Sequence, residues 1–329
     1  MSNFFIQTDT PNPWKNLAVE KYLSGRVEKG DVILYLWQNE RTVVIGRNQN
    51  AIRECRTQLL EEEGGCLARR ATGGGAVYQD LGNLCFTFLA SPEMYDLKKQ
   101  LQVIQLACGT FGIATHFSGR NDILTEDGFK FSGNAFSKTS QCHIQHGTLM
   151  IDVDVSRLER YLTPSREKMK AKGIRSVQSR VCNLKERNSN ITIECMCQAL
   201  KESFEALYGS FQELPLEILE NPKVQEIYEQ YSSWEWNYGK SPECETCYSK
   251  RFSWGELEIW LKLRGMHISE IKIYSDALDT ELPRKLKEML LGKRYDMADV
   301  DLSRDAQSLS PEQKEKTEEV IRWLAGLQK

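Results

Sequence analysis

The densest chemistry in the sequence lies in one stretch, Arg69-Arg70-Ala71-Thr72-Gly73-Gly74-Gly75-Ala76-Val77-Tyr78-Gln79-Asp80-Leu81-Gly82-Asn83. Three consecutive glycines between strand signals let a backbone approach a ligand and aim its N–H groups at an anion, while two adjacent arginines offer bidentate donors for phosphate. That combination suits a nucleotide triphosphate. A tight hairpin with solvated arginines is the bland alternative for a generic glycine run, and the flanking arginines weigh against it. The familiar nucleotide fingerprints do not account for the stretch: a GxGxxG needs glycine where Tyr78 stands, and Gly239-Lys240-Ser241 has Trp234 where a phosphate loop needs its first glycine.

A second segment, Ser118-Gly119-Arg120-Asn121-Asp122, is followed by Gly128-Phe129-Lys130-Phe131-Ser132-Gly133-Asn134-Ala135. A lysine on a short strand followed at once by small residues places one amine beside a gap able to hold a ligand. Alternation turns Phe129 and Phe131 away from Lys130, which leaves it facing either a pocket or water. Cys142 stands four residues before His146 and raises a cysteine nucleophile, although cysteine is more often a small buried residue. Cys244 and Cys247 form the single CxxC, without the second pair or neighbouring histidines of a structural zinc site.

These residues need a scaffold, and hydrophobic period supplies its outline. After Asn12-Pro13 a helical stripe carries Leu17, Tyr22 and Leu23; Asp31 opens a strand over 32–37, Asn39-Glu40 forms a turn, and 42–45 is a β-branched strand. A charged helix is expected over 52–63, a strand over 66–68, a hairpin pair at 76–78 and 84–89, and an amphipathic helix over 97–111 ended by Gly112. Short strands follow at 122–124, 129–131 and 146–151, with 137–145 read as a loop. The Lys-, Arg- and Ser-rich stretch 158–188 reads as a surface segment whose part 168–180 would act as a lid, and a helix over 192–208 ends at Gly209. Beyond Ser241-Pro242-Glu243 come strands at 257–263 and 268–274 and helices at 282–291 and 311–327. Runs of strands punctuated by single helices predict an α+β fold with a mixed or antiparallel sheet.

At 329 residues the chain exceeds the size at which one core keeps growing. A break near Pro242 divides it into a large domain, 1–244, and a small α+β accessory domain, 250–329. A net charge of −3 and a pI near 6.0 leave no global basic field for nucleic acid. The N-terminal residues lack a basic start and a long apolar core, and the run 32–37 is too short to span a bilayer, so the expectation is a cytoplasmic protein with no membrane partner and ten reduced cysteines.

In order and spacing, Arg69-Arg70-x-Thr-Gly-Gly-Gly-Ala-Val-x-x-Asp-x-Gly-Asn, Ser-Gly-Arg-Asn-Asp, Lys-x-Ser-Gly-x-Ala and His146-Gly147-Thr148-Leu149 closely resemble the lipoate-protein ligase A family. The likeness continues at Asn16 to Glu20, Thr42 to Asn50, Ala171 to Ile174, Ser179 to Leu184 and Ser232 to Gly239, and so spans essentially the whole chain. It implies an enzyme that uses ATP and magnesium to activate lipoate as lipoyl-AMP, releasing pyrophosphate, and then transfers the lipoyl group to a lysine. The acceptors it implies are lipoyl-domain proteins such as 2-oxoacid dehydrogenase E2 subunits and the glycine cleavage H protein. The implied fold is an α+β catalytic domain related to biotin ligases, followed by a small accessory domain.

By the same resemblance Arg70, Gly75, Ala76, Val77, Tyr78, Asn83 and Lys130 would contact ATP, while Gly74, Lys130 and His146 would contact lipoate. Lys130 would be catalytic and Asp122 would help hold magnesium. Two departures stand out: Thr72 replaces a common serine and keeps its hydroxyl, whereas Gln79 replaces a common histidine and argues against a general base there. Two alternatives remain: an octanoyl or lipoyl transferase with Cys142 as nucleophile and no ATP, and a lipoate-binding protein without turnover. Retention of Arg70, the glycine run and Lys130 together opposes the second.

Overall fold

The uninterrupted apolar run from Val32 to Trp37 is buried along its whole length, with Val32, Leu34 and Leu36 entering one core and Ile33, Tyr35 and Trp37 another. Period-2 alternation divides such a strand between two faces, so the sheet that contains it is covered on both. The computed structural model describes residues 2–118, 121–163, 181–238, 246–264, 267–294 and 297–327. By contact the chain forms two compact units: Met1–Ile45, Ala51–Thr72 and Ala76–Gly239 make the first, and Gly46–Asn50, Gly73–Gly75 and Lys240–Lys329 the second. The class is α+β with mixed sheets.

The first unit contains β1 (Ser2–Gln7), β2 (Asp31–Trp37), β3 (Thr42–Ile45), β4 (Cys66–Arg69), β5 (Val77–Gln79), β6 (Asn83–Ala90), β7 (Thr115–Ser118), β8 (Asp122–Thr125), β9 (Lys130–Lys138), β10 (His143–Met150) and β11 (Gln212–Glu213). Eight of these form one sheet in the order β11-β1-β2-β6-β10-β9-β8-β7, parallel at β11-β1-β2 and antiparallel from β2 to β7. One face packs against helices Leu97–Gly109 and Ile193–Tyr208 through Phe86, Phe88 and Phe204. The other packs against helices Pro13–Ser24 and Pro222–Ser232 through Leu17, Leu23, Leu89 and Tyr231. Strands β4-β3-β5 make a separate small sheet over Val43, Ile45, Leu67 and Tyr78.

In the second unit β12 (Thr246–Phe252), β13 (Gly255–Arg264) and β14 (His267–Ser275) form an antiparallel meander. Leu257, Ile259 and Leu261 from its central strand pack with Leu282, Leu286 and Leu290 of helix Leu282–Leu290 and with Val320 and Leu324 of helix Pro311–Gly326.

Several expectations need correction. Segments 76–78 and 84–89 are not a hairpin, because β5 pairs with β3 and β6 pairs with β2 and β10. The helix expected over 52–63 is two short helices, Ala51–Glu54 and Thr57–Glu62, interrupted where Cys55 bridges to Leu162 and Arg56 N–H donates to Tyr161 O. Most of the expected loop 137–145 belongs to the hairpin β9-β10, turned by Thr139, whose hydroxyl accepts from the N–H of Cys142 and of Gln141. The expected surface stretch opens instead with helix Val155–Tyr161, whose Tyr161 is buried. The lid expected at 168–180 lies outside the described residues. Among those described, no helix is long and apolar enough to cross a membrane.

The β5-β6 turn is clamped to the end of β10 through Gly82, whose carbonyl accepts from the N–H groups of Ile151 and Asp152 at 3.0 and 2.9 Å. A Cβ at Gly82 would overlap the Asp152 carbonyl, a backbone obstacle that no rotamer relieves. Gly82→Ala is therefore expected to destabilise the protein by about 1–3 kcal/mol, and Gly109→Ala, at an open helix end, to change it by no more than about 0.5 kcal/mol. Urea denaturation midpoints of the two variants check this contrast.

Candidate active site

A chain of hydrogen bonds runs through the first unit from the sheet to the base of the glycine stretch. Glu20 sits midway along helix Pro13–Ser24, whose neighbours Leu17, Ala18 and Val19 carry it into the buried interface with the sheet. Its Oε2 lies 2.7 Å from His146 Nδ1 on β10 and accepts from the Thr87 hydroxyl on β6, also at 2.7 Å. His146 and Thr87 are directly opposed in the β10-β6 register. Trp37 Nε1–H donates to Thr87 Oγ1 at 3.1 Å, His146 Nε2 is 2.8 Å from Thr72 Oγ1, and Arg70 Nε–H donates to that hydroxyl at 3.1 Å. A proton on His146 Nδ1 gives every bond one consistent direction, with Thr72 donating to Nε2.

Arg70 is fixed rather than waving: it is 6% exposed, its N–H donates to Ile45 O and its Nη1 to Val44 O. Burial lowers its pKa to about 10, opposed by the charge of Glu20, so the guanidinium stays protonated at neutral pH. Burial would raise the Glu20 carboxyl, but His146, the Thr87 hydroxyl and Arg70 together outweigh it and hold the group below the ordinary carboxylate range. Next along the chain, Arg69 donates from Nε to Trp236 O and from Nη2 to Asn237 O, tying β4 to the short helix Trp234–Asn237. This hydrogen-bond chain was not apparent from the sequence. Its one available signal was an acidic residue, Glu20, directly after the apolar run Leu17-Ala18-Val19 of the helix.

Lys130 opens β9, its carbonyl accepting from Cys182 N–H at 3.0 Å. Its ammonium lies 2.7 Å from Asp122 Oδ1 on β8, with the two side chains 34% and 32% exposed. Among the described residues no group of three or more His, Cys, Asp or Glu side chains is placed to hold a metal ion.

The other sequence candidates scatter. Tyr78 turns its ring into the core against Tyr161 while its backbone pairs with β3 opposite Val43, and Asn83 is buried with its amide on Cys85 Sγ. Val77 and Ala76 pack against buried clusters of the first unit. Gly74 and Gly75 group with the second unit, where Gly74 N–H donates to Ala277 O at 3.2 Å. Gln79 accepts from Asn39 and completes a buried polar cluster with Asn16, Tyr35 and Thr8, a structural role in place of the missing imidazole. Cys142 is 2% exposed at the hairpin turn, its thiol pushed up to about 12 by burial, and with three residues between them it stands roughly 13 Å along the strand from His146. Cys244 lies outside the described residues.

Glu20→Gln removes the charge that compensates buried Arg70, and a loss of about 3 kcal/mol at neutral pH is expected. Because the folded-state pKa of Glu20 lies below its ordinary 4.5, the stability from its ionisation is present above that value and is lost as pH falls through the folded value. The gap between wild type and Glu20→Gln should therefore narrow under acid. Urea midpoints of both proteins from about pH 7 to about pH 3 measure it, and a gap constant with pH would refute the electrostatic reading.

Against this geometry stand the likenesses to known proteins. The family described as lipoyl protein ligase A/B catalytic domain matches residues 12–205, and the family described as bacterial lipoate protein ligase C-terminus matches 241–324. The crystal structure of P. falciparum LipL1 in complex with lipoate is 31% identical, with a TM-score of 0.85 over 99% of this chain and 100% of that chain. A bipartite lipoate protein ligase from Thermoplasma acidophilum, studied with its E2 lipoyl domain, is 27% identical with a TM-score of 0.65 over 74% of this chain and 98% of that one. A lipoate-protein ligase A bound with ATP shares the fold, with a TM-score of 0.63 at 23% identity over 73% of this chain and 99% of that chain. With a catalytic-domain match over more than half its length and a C-terminal match beyond it, the chain belongs to the lipoate-protein ligase family.

Proposed function

We propose that the protein activates lipoate with ATP to lipoyl-AMP and pyrophosphate and then transfers the lipoyl group to a lysine of a lipoyl-domain protein. The observation that carries this reading is the Lys130 ammonium, one-third exposed and already 2.7 Å from a carboxylate oxygen. A cation so placed can hold the carboxylate of an acyl substrate. The lipoate complex of LipL1, the lipoyl domain paired with the Thermoplasma ligase and the ATP bound to lipoate-protein ligase A support the same reading by likeness.

In the first step two negative groups, a carboxylate and the α-phosphate, must meet. Lys130 offsets that repulsion while Arg70, immobilised by Thr72 and the β3 carbonyls, presents a fixed charge to phosphate. A carboxylate oxygen attacks the α-phosphorus and pyrophosphate leaves; the family resemblance assigns ATP contacts to Gly75, Ala76, Val77, Tyr78 and Asn83 and lipoate contacts to Gly74 and His146. In the second step the acceptor amine attacks the acyl carbon and AMP departs, so no enzyme nucleophile is required. Magnesium would accompany the nucleotide phosphates; the resemblance offers Asp122 as a carboxylate ligand, and in this structure that carboxylate lies against Lys130. Residues 1–244 would form the catalytic domain and 250–329 the accessory one, acting in the cytoplasm on acceptors such as 2-oxoacid dehydrogenase E2 subunits and the glycine cleavage H protein.

Lys130→Ala is expected to lower lipoate-dependent pyrophosphate release by roughly 100- to 1000-fold, with the unfolding midpoint unchanged. Near-normal release would sink the assignment. The transferase alternative needs an accessible thiolate, which the buried Cys142 does not offer. Cys142→Ser should accordingly keep most ATP-dependent lipoylation of a lipoyl domain, and an acyl-thioester on Cys142 seen by mass spectrometry would favour the transferase.

A further inference from the structure

Lys130 is pinned by its backbone and free in its side chain. Cys182 N–H bonds its carbonyl and Val181 bridges beside it, so β9 cannot shift easily at this point. The side chain runs back along its own strand: its ammonium lies 3.2 Å from where a Cβ on Gly133 would stand, and Gly133 faces Asp122 across the β8-β9 register. A register shift between Ile123 and Leu124 places Lys130 opposite Leu124, which lets a lysine three residues from Gly133 reach an aspartate directly opposite it. The contact is one of proximity, since Asp122 Oδ1 receives no directed hydrogen bond among the described residues.

The two side chains are one-third exposed, and although the Oδ1 facing the ammonium is buried, no directed hydrogen bond among the described residues locks the pair as the Glu20 chain is locked. We propose that Asp122 is a positioning residue and an internal stand-in for the substrate carboxylate: it keeps the Lys130 ammonium over Gly133 in the resting enzyme and is displaced when the acyl carboxylate binds. The exchange swaps one carboxylate for another on the same ammonium and makes or breaks no covalent bond. It rests on the proposed role of Lys130 and adds a cost that every carboxylate ligand must meet, while a neutral ligand of the same shape meets none. The residue so discriminates by charge without touching the acyl chain.

The test compares lipoate with lipoamide, which keeps the ring and chain but lacks the carboxylate, by calorimetric titration of the full-length protein without ATP. Asp122→Asn should tighten lipoate about 2- to 5-fold, the scale of an exposed ion pair, and leave lipoamide unchanged. Asp122→Glu should return the lipoate-to-lipoamide ratio to the wild-type value, and thermal unfolding of each variant shows that it is folded. Equal changes for both ligands would make Asp122 merely structural and overturn the proposal. So would an unchanged lipoate affinity, or a raised magnesium requirement for pyrophosphate release with lipoate binding unaltered, which would make Asp122 a metal ligand. Failure of the wild type to release pyrophosphate with lipoate would instead count against the proposed function, whatever the variants do.

Discussion

The carboxylate of Glu20 lies inside the first unit, between a helix and a sheet covered on both faces, where water does not reach it. A charge in such a place is tolerated only when its surroundings match it closely, and here five segments contribute: helix Pro13–Ser24, β2, β6, β10 and the residues after β4. The requirement acts as a register gauge. A one-residue slip of β10 against β6 would turn His146 to the opposite face, strand the carboxylate and loosen Thr72, through which Arg70 is held. Burial of the two apolar faces, with Phe86, Phe88 and Leu89 among many, drives the sheet together, whereas the Glu20 chain makes one alignment of the strands preferable to its neighbours.

The two cations illustrate how one site divides its physical tasks. Arg70 is planar, buried and bonded to backbone carbonyls, so its position is set before any ligand arrives. Lys130 carries its charge on a flexible stem at a strand end, beside a single carboxylate that is one-third exposed. The first cation has its geometry set by the fold, while the second keeps freedom to adjust, and under the proposed function these would be a preorganised and a compliant charge.

Legibility from sequence followed the range of the interactions. The run 32–37, the glycine-ended helices and two of the three second-unit strands depend on local pattern and stand where period puts them, whereas strand Thr246–Phe252 was not foreseen. The supposed hairpin at 76–78 and 84–89 failed because proximity in sequence does not decide pairing when each strand has a better partner elsewhere. Strand β1 is short and its alternation mixed, and it becomes a strand because β2 and β11 flank it. For the site, motif order named Arg70, Lys130 and His146 as candidates. It did not reveal that Tyr78 gives its ring to the core, nor that Glu20 anchors the arginine, since both facts arise from contacts across tens to more than a hundred positions.

Strand β1 has a further consequence, which concerns time rather than geometry. Asn3 is bonded to the carbonyl of Tyr208 across a separation of 205 residues, and Phe5 O accepts from Leu214 N–H. During vectorial synthesis at about 5–20 residues per second, roughly 10–40 s pass between emergence of the first partner and of the second. For that interval the β1 edge that later meets β11 is unpaired and partly apolar, the kind of surface that invites pairing with other chains. Slower passage to residue 208 lengthens that interval and leaves the folded state as it is.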